Sequence, residues 1–216
     1  MNVIRPDICV SIGKVNFKEI KNLLPKFPLV ELRVDLLDLS KDELKQLLAL
    51  HGNLIITYRA NNGDYELMLD MLNNAIEFGA AWVDVDIDTP DDIIKKVVAK
   101  ARTKNCRLII SYHNYDKTPS TSILNSTIAS AGAYNPVLTK IACMANSPND
   151  CVRVLSLYEN HSNILAFCMG QVGTITRIAA PILGAPFTYA GLPGKETAPG
   201  QIDYIKMNEI LNSINQ

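Results

Sequence analysis

Lys140 stands inside Val137-Leu138-Thr139-Lys140-Ile141-Ala142, an apolar stretch where an ammonium group is normally avoided. Two readings are open. The lysine either ends a strand and lets its amine snorkel to water, or its amine is held in an apolar pocket or near other cations, is neutral part of the time, and attacks a carbonyl. His113 closes the preceding run Leu108-Ile109-Ile110-Ser111-Tyr112 and shares a face with Ser111 and Ile109 by the strand period of two. If the two runs are neighbouring strands, a proton carrier stands beside a group able to form an imine. His51 and His161 fall where helices end and read as structural.

Arg33, Arg59 and Arg177 are candidate binders of carboxylate or hydroxyl groups, because the guanidinium fork matches such oxygens. Each could instead form a surface ion pair. Arg177 is the only charge between Val172 and Leu183, where an unpaired arginine has little structural purpose. Phe187 to Gln201 is rich in glycine and proline and reads as a last strand followed by a loop, a passive connection or a lid carrying Thr197 and Gln201. A helix starting near Gly200 would add a dipole favourable to an anion.

These side chains need a scaffold that gathers them, and short β-branched runs alternating with helical-period segments supply one. Strands are expected over Asp7 to Gly13, Val30 to Leu36, Asn53 to Arg59, Trp82 to Asp88, Arg107 to His113, Val137 to Met144, Asn163 to Met169 and Phe187 to Ala190. Helices are expected from near Asn16, Ser40, Asp64, Thr89, Ser120, Ser147, Gly173 and Gly200. Ser40 with Glu43 and Ser147 with Asp150 have capping-box spacing. Thr89 is expected to cap a helix with Pro90 first, followed by Asp91 and Asp92 at its positive end.

Successive βα units can form an open sheet or a barrel. The second strand alternates Glu31, Arg33 and Asp35 with Leu32, Val34 and Leu36, and the fourth alternates Asp84, Asp86 and Asp88 with Val83, Val85 and Ile87. In an antiparallel sheet a charged face meets solvent. Helical crossovers cover the outer face of a parallel sheet, so the charged faces must line the mouth of a closed barrel. The expected fold is a single-domain, eight-stranded (β/α)8 TIM barrel over residues 1–216, with short loops.

Composition agrees with this and narrows the function. Hydrophobic residues make up 48% and charged residues 20%, and the formal net charge is -1, as in a folded globular chain rather than a disordered or nucleic-acid-binding one. Pro6 and Asp7 interrupt any secretory leader at the start of the sequence, and the uncharged segments are too polar or too rich in proline and glycine for a membrane helix. Cys9, Cys106, Cys143, Cys151 and Cys168 show no Cys-x-x-Cys spacing, which suits a reduced cytoplasm. No metal site or nucleotide cofactor motif is present in the sequence.

Taken together, Glu31-Leu32-Arg33-Val34-Asp35, Asp84-Val85-Asp86-Ile87, Ile110-Ser111-Tyr112-His113-Asn114, Lys140-Ile141-Ala142, Met169-Gly170 with Arg177, and Ala198-Pro199-Gly200-Gln201 resemble type I 3-dehydroquinate dehydratases in order and spacing over nearly the whole chain. The resemblance implies dehydration of 3-dehydroquinate to 3-dehydroshikimate in the shikimate route to aromatic amino acids, without cofactor. It implies that Lys140 forms a Schiff base and that His113 moves the protons of a syn elimination, with Asp86 the candidate for orienting it. It further implies that Arg177, Thr197 and Gln201 hold the substrate carboxylate, that Glu31, Arg33, Arg59 and Ser11 hold ring hydroxyls, and that Met144 forms an apolar wall. A homodimer is expected on the same basis.

Three departures stand out. Many relatives carry a glutamate soon after the arginine matching Arg59, where this chain has Ala60-Asn61-Asn62-Gly63. Asp86 stands where glutamate is common, so water is expected between it and His113. Thr197 replaces a common serine, and its methyl is expected to crowd a closed lid. The competing functional readings are a lysine-imine aldolase and a barrel that binds metabolites without turning them over.

Overall fold

The structure, a computed structural model, describes residues 7–60 and 63–214. Pro6, Asn61 and Asn62, which entered the sequence reading, lie outside the described residues. Eight strands, β1 (Asp7–Ile12), β2 (Leu29–Arg33), β3 (Leu54–Thr57), β4 (Trp82–Asp86), β5 (Arg107–Asn114), β6 (Leu138–Met144), β7 (Ile164–Met169) and β8 (Phe187–Gly191), alternate with α1 (Phe17–Leu23), α2 (Lys41–Leu50), α3 (Tyr65–Glu77), α4 (Asp91–Thr103), α5 (Thr121–Gly132), α6 (Pro148–Leu155), α7 (Gly170–Ile182) and α8 (Tyr204–Ile214). The strands pair in parallel in the order β7-β6-β5-β4-β3-β2-β1-β8. The first strand therefore joins the last, as a barrel requires.

The barrel is nearly closed rather than fully hydrogen-bonded, since no ladder joins β7 to β8 among the described residues. Side chains and α7 close that seam instead. The rings of Phe167 and Tyr189 lie 6.1 Å apart across it, and the Thr188 hydroxyl of β8 donates to the carbonyl of Arg177 on α7 at 2.7 Å. Gly173 lets α7 lie against β7, because a Cβ there would stand 2.6 Å from the Cβ of Cys168.

The period of two sorts the strand residues. Val10, Ile12, Val30, Leu32, Val83, Val85 and Ile110 point outward into a core shared with the helices. Cys9, Leu29, Ile55, Trp82, Ile109, Leu138, Leu165 and Phe187 point inward and fill the barrel floor. Above that floor the inward positions turn polar: Glu31, Thr57, Asp84, Ser111 and Lys140 are buried. This polar set is the base of a site at the C-terminal ends of the strands.

The capping boxes at Ser40 and Ser147 form as the spacing predicts. Other boundaries differ. β2 ends at Arg33, and Val34–Leu36 turn into a 3-10 segment, so that Asp35 folds back onto Arg33. β3 stops at Thr57 and β4 at Asp86, where Asp88 turns its N–H back to the Asp86 carboxylate at 3.1 Å. Pro90, not Thr89, occupies the cap position of α4; the Thr89 N–H is turned back to the Asp86 carbonyl at 3.1 Å. Helix α7 begins at Gly170 rather than near Gly173. Helix α8 begins at Tyr204 rather than near Gly200, because Gly200 takes a left-handed turn at φ 69°. The anion-binding dipole expected at Gly200 is therefore not there.

Candidate active site

Lys140 is 5% exposed and has no snorkelling route to water. Its Nζ donates to Asp84 Oδ2 at 3.1 Å, lies 3.6 Å from Glu31 Oε1, and sits 4.3 Å from the centre of the Tyr189 ring. β5 and β6 pair with Ser111 opposite Lys140 and His113 opposite Ala142. With both side chains directed inward, Lys140 and His113 line one cleft, as their sequence positions predicted.

The His113 Nδ1 lies 2.7 Å from Asp86 Oδ2. The contact is direct, and the water expected between them is not needed. Burial would raise the Asp86 carboxyl, but the hydrogen bond from His113, the charge of Arg59 and the Asp88 N–H hold it below the ordinary range. An ionised Asp86 accepts from Nδ1–H and leaves the imidazole lone pair on Nε2. Burial and the Arg59 cation push His113 down to about 4, against the opposing pull of Asp86. At neutral pH His113 is thus a neutral base.

The arginines divide into two kinds. Arg33 forms a forked pair with Asp35 at 2.9 and 2.7 Å, and Arg59 donates to Asp84 at 2.8 Å. Arg177, 1% exposed, reaches only the Pro199 carbonyl at 3.4 Å and stacks 4.4 Å from the Phe167 ring centre. Its Nε and the Nη1 of Arg59 have no hydrogen-bond partner among the described residues. Burial without a nearby carboxylate lowers Arg177 to about 10. A buried cation with unused donors, at the wall of a cleft, is a receptor for an anion.

The segment after β8 covers the mouth. The Thr197 hydroxyl donates to Ser11 Oγ at 2.7 Å, Ser11 donates to Glu31 at 2.5 Å, and the Thr197 N–H donates to the side-chain oxygen of Gln201 at 2.9 Å. The Thr197 methyl lies over Gly13, 3.3 Å from where a Cβ would stand, so a side chain at position 13 would press on it. The lid is anchored to α7, with the Gly170 N–H donating to the Pro199 carbonyl at 3.2 Å.

Ser11, Glu31, Arg33, Arg59, Arg177, Thr197 and Gln201 all line the cleft with Lys140 and His113. Met144 does not. Its sulfur lies 2.7 Å from where a Gly170 Cβ would be, and Ala142, Phe167 and Met169 form the apolar wall instead. Phe167 and Met169 alternate on β7 and Tyr189 lies inward on β8, so their period of two was the available signal. Tyr115, stacked on His113 with ring centres 6.0 Å apart, follows the strand and had no such signal. Asp84 was visible as part of a charged face, but its partners were not. It accepts from Ser111 Oγ at 2.5 Å as well as from Arg59 and Lys140.

A buried amine, a neutral imidazole and an unpaired arginine at the C-terminal mouth of a (β/α)8 barrel define the class of lysine-dependent carbonyl enzymes. The type I 3-dehydroquinase profile matches residues 8–216, and the chain belongs to that family. A 3-dehydroquinate dehydratase of Thermococcus onnurineus is 37% identical over 180 residues, covering 81% of each chain. One of Methanococcus vannielii is 32% identical over 202 residues, covering 90% of this chain and 91% of its own. The crystal structure of a type I 3-dehydroquinate dehydratase from Clostridium difficile superposes with a TM-score of 0.86 at 26% identity, covering 98% of this chain and 92% of that one.

Proposed function

We propose that this enzyme is a hydro-lyase that converts 3-dehydroquinate to 3-dehydroshikimate through an imine on Lys140. The observation that carries the mechanism is the meeting, in one cleft, of the buried Lys140 amine and a His113 base whose Nδ1 is held by Asp86. The Arg177 guanidinium suits the substrate carboxylate, and Gln201 and Thr197 close that end. Glu31, Arg33, Arg59 and Ser11 suit the ring hydroxyls.

Lys140 condenses with the ketone and releases water. The protonated imine draws electrons from the adjacent carbon, and His113 Nε2 removes that carbon's proton to leave an enamine. The enamine electrons return through the ring and expel the hydroxyl, to which His113 gives the proton. Hydrolysis then frees the conjugated enone and restores Lys140.

Intact-protein mass after borohydride treatment with 3-dehydroquinate tests this, with enone formation followed by absorbance. Wild type should gain a reduced substrate adduct and form enone, and Lys140→Ala should do neither. Folded wild-type protein that forms no adduct and no enone refutes the reading and favours an idle binding barrel; an adduct without enone favours carbon–carbon chemistry at the same lysine.

The same reading includes a cytoplasmic homodimer. All five cysteines are free and buried, which fits a reducing compartment, and no helix among the described residues is long and apolar enough to cross a membrane. Val172, Ile175, half-buried Ala179 and Ile182 follow one another at three- and four-residue steps along α7. The only charge on α7, Arg177, is buried, so this uncharged stripe suits the same stripe on a second copy across a two-fold axis. Light scattering on wild type and Ile175→Glu should give a dimer and a monomer, respectively.

A further inference from the structure

Strand β4 alternates acidic and apolar residues, so Asp84 and Asp86 point to the same interior, one pleat apart. Each carboxylate meets a different group that carries positive charge in the imine mechanism. Asp86 lies 2.7 Å from His113 Nδ1, and Asp84 lies 3.1 Å from Lys140 Nζ. The lysine ammonium and a ketone become a protonated imine and one water, so the pocket keeps one positive charge at the nitrogen throughout that step. Removing the carbon proton moves the charge from the nitrogen to His113, and expelling the hydroxyl moves it back.

We propose that Asp84 is the counter-ion of the imine nitrogen. It keeps that nitrogen protonated, and therefore electron-withdrawing, at pH values where an isolated imine would lose its proton. This rests on the Lys140 imine reading.

The groups facing Lys140 single out Asp84. Glu31 on β2 is farther away at 3.6 Å. Its oxygens accept from the Ser11 hydroxyl at 2.5 Å and the Thr57 hydroxyl at 2.9 Å and form no hydrogen bond with Lys140, so it is the second, more distant carboxylate of the pair. Tyr189 on β8 presents a ring face at 4.3 Å, which stabilises a cation without being able to take its proton. Cys9 on β1 is buried and burial pushes its thiol up, so it stays neutral. Arg59 and His113 are cationic or neutral and cannot serve.

Asp84 is also built to remain an anion. Although burial would raise its carboxyl, Arg59, Lys140 and the Ser111 hydroxyl together hold it well below the usual range. Arg59 at 2.8 Å and Ser111 at 2.5 Å fix its position from β5 and the end of β3, so Asp84 need not move when the ammonium becomes an iminium.

The test labels the lysine side-chain nitrogens with 15N, loads the enzyme with 3-dehydroquinate, and follows the imine nitrogen signal and kcat from pH 6 to pH 10. Wild type should hold a protonated imine across that range. In Asp84→Asn the nitrogen should lose its proton about 1–3 pH units earlier, the alkaline limb of kcat should move with it, and borohydride should still trap an adduct at lower pH. Glu31→Gln should shift the limb less. An imine that titrates between pH 6 and pH 8 in wild type overturns the proposal even if Asp84→Asn fails to fold. Identical alkaline limbs in wild type and a folded Asp84→Asn overturn it as well. Absence of any Lys140 adduct in wild type would instead remove the imine reading beneath it.

Discussion

Arg177 carries opposite consequences for stability and for binding, and Arg177→Met separates them. Its guanidinium is 1% exposed, its Nε is unpaired, and it has no carboxylate partner among the described residues. A fall from 12.5 to about 10 corresponds to about 3 kcal/mol of unfavourable charge burial. Against this stand the contact with the Phe167 face at 4.4 Å and a long hydrogen bond to Pro199 at 3.4 Å, together about 1–2 kcal/mol. Methionine fills similar space without the charge, so the variant should gain about 1–2 kcal/mol and melt about 2–8 °C higher. Losing the arginine beneath a substrate carboxylate removes about 2–5 kcal/mol, or roughly 30- to 5,000-fold in kcat/KM, mostly through KM. Calorimetry without substrate and steady-state kinetics measure the two effects. A variant that melts lower than wild type and keeps its KM would refute the assignment of Arg177 as an anion receptor held in strain.

Because His113 is pushed down to about 4, the acid limb of kcat/KM should lie near pH 4, and a limb near 6.5 in a rate profile would contradict a buried neutral base. The same shift makes the unfolded chain bind the proton first, so stability from this residue is full above about 6.5 and falls by roughly 3 kcal/mol as pH drops to 4. Denaturant titrations should show that slope in wild type and a shallower one in His113→Gln. His113→Ala should lower kcat about 10²- to 10⁴-fold while leaving imine trapping intact. Asp86→Ala, which frees the ring to turn and leaves the buried Nδ1–H without its acceptor, should lower kcat by about 10²-fold or more and the melting temperature by about 2–8 °C, measured by steady-state kinetics and calorimetry. Gly200→Ala would place a methyl 2.3 Å from the Gly170 carbonyl at a φ of 69°; it should raise KM by unseating the lid, and an unchanged KM would show that the lid does not contribute to binding.

The alternation of β-branched and helical segments, the charged faces of the second and fourth strands, and the positions of Lys140 and His113 late in successive strands were all local properties. Covalent periodicity sets which side chains share a face, so the barrel architecture was legible in the pattern itself, while the imine chemistry and most of the cleft residues were legible only through the resemblance of the combined motifs to the type I family. The resemblance, not the periodicity, put Asp86 forward as the partner of His113, and it expected water where the structure has a direct contact. What the sequence left open depended on distances between residues far apart in the chain. Asp84 gathers Arg59, Ser111 and Lys140 from three other parts of the barrel, and no spacing along one strand reveals such a meeting. Met144 shares the inward phase of Lys140 and the height of Met169, but its sulfur lies against Gly170 at the start of α7, leaving the apolar wall to Phe167 and Met169 of the neighbouring strand. The seam between β7 and β8 is bridged by contacts between Phe167 and Tyr189 and between Thr188 and α7, and the start of α8 is delayed by one left-handed residue, Gly200; neither is legible in local pattern. Local pattern decides which way a side chain points, and only the closed packing of the whole barrel decides what it meets there.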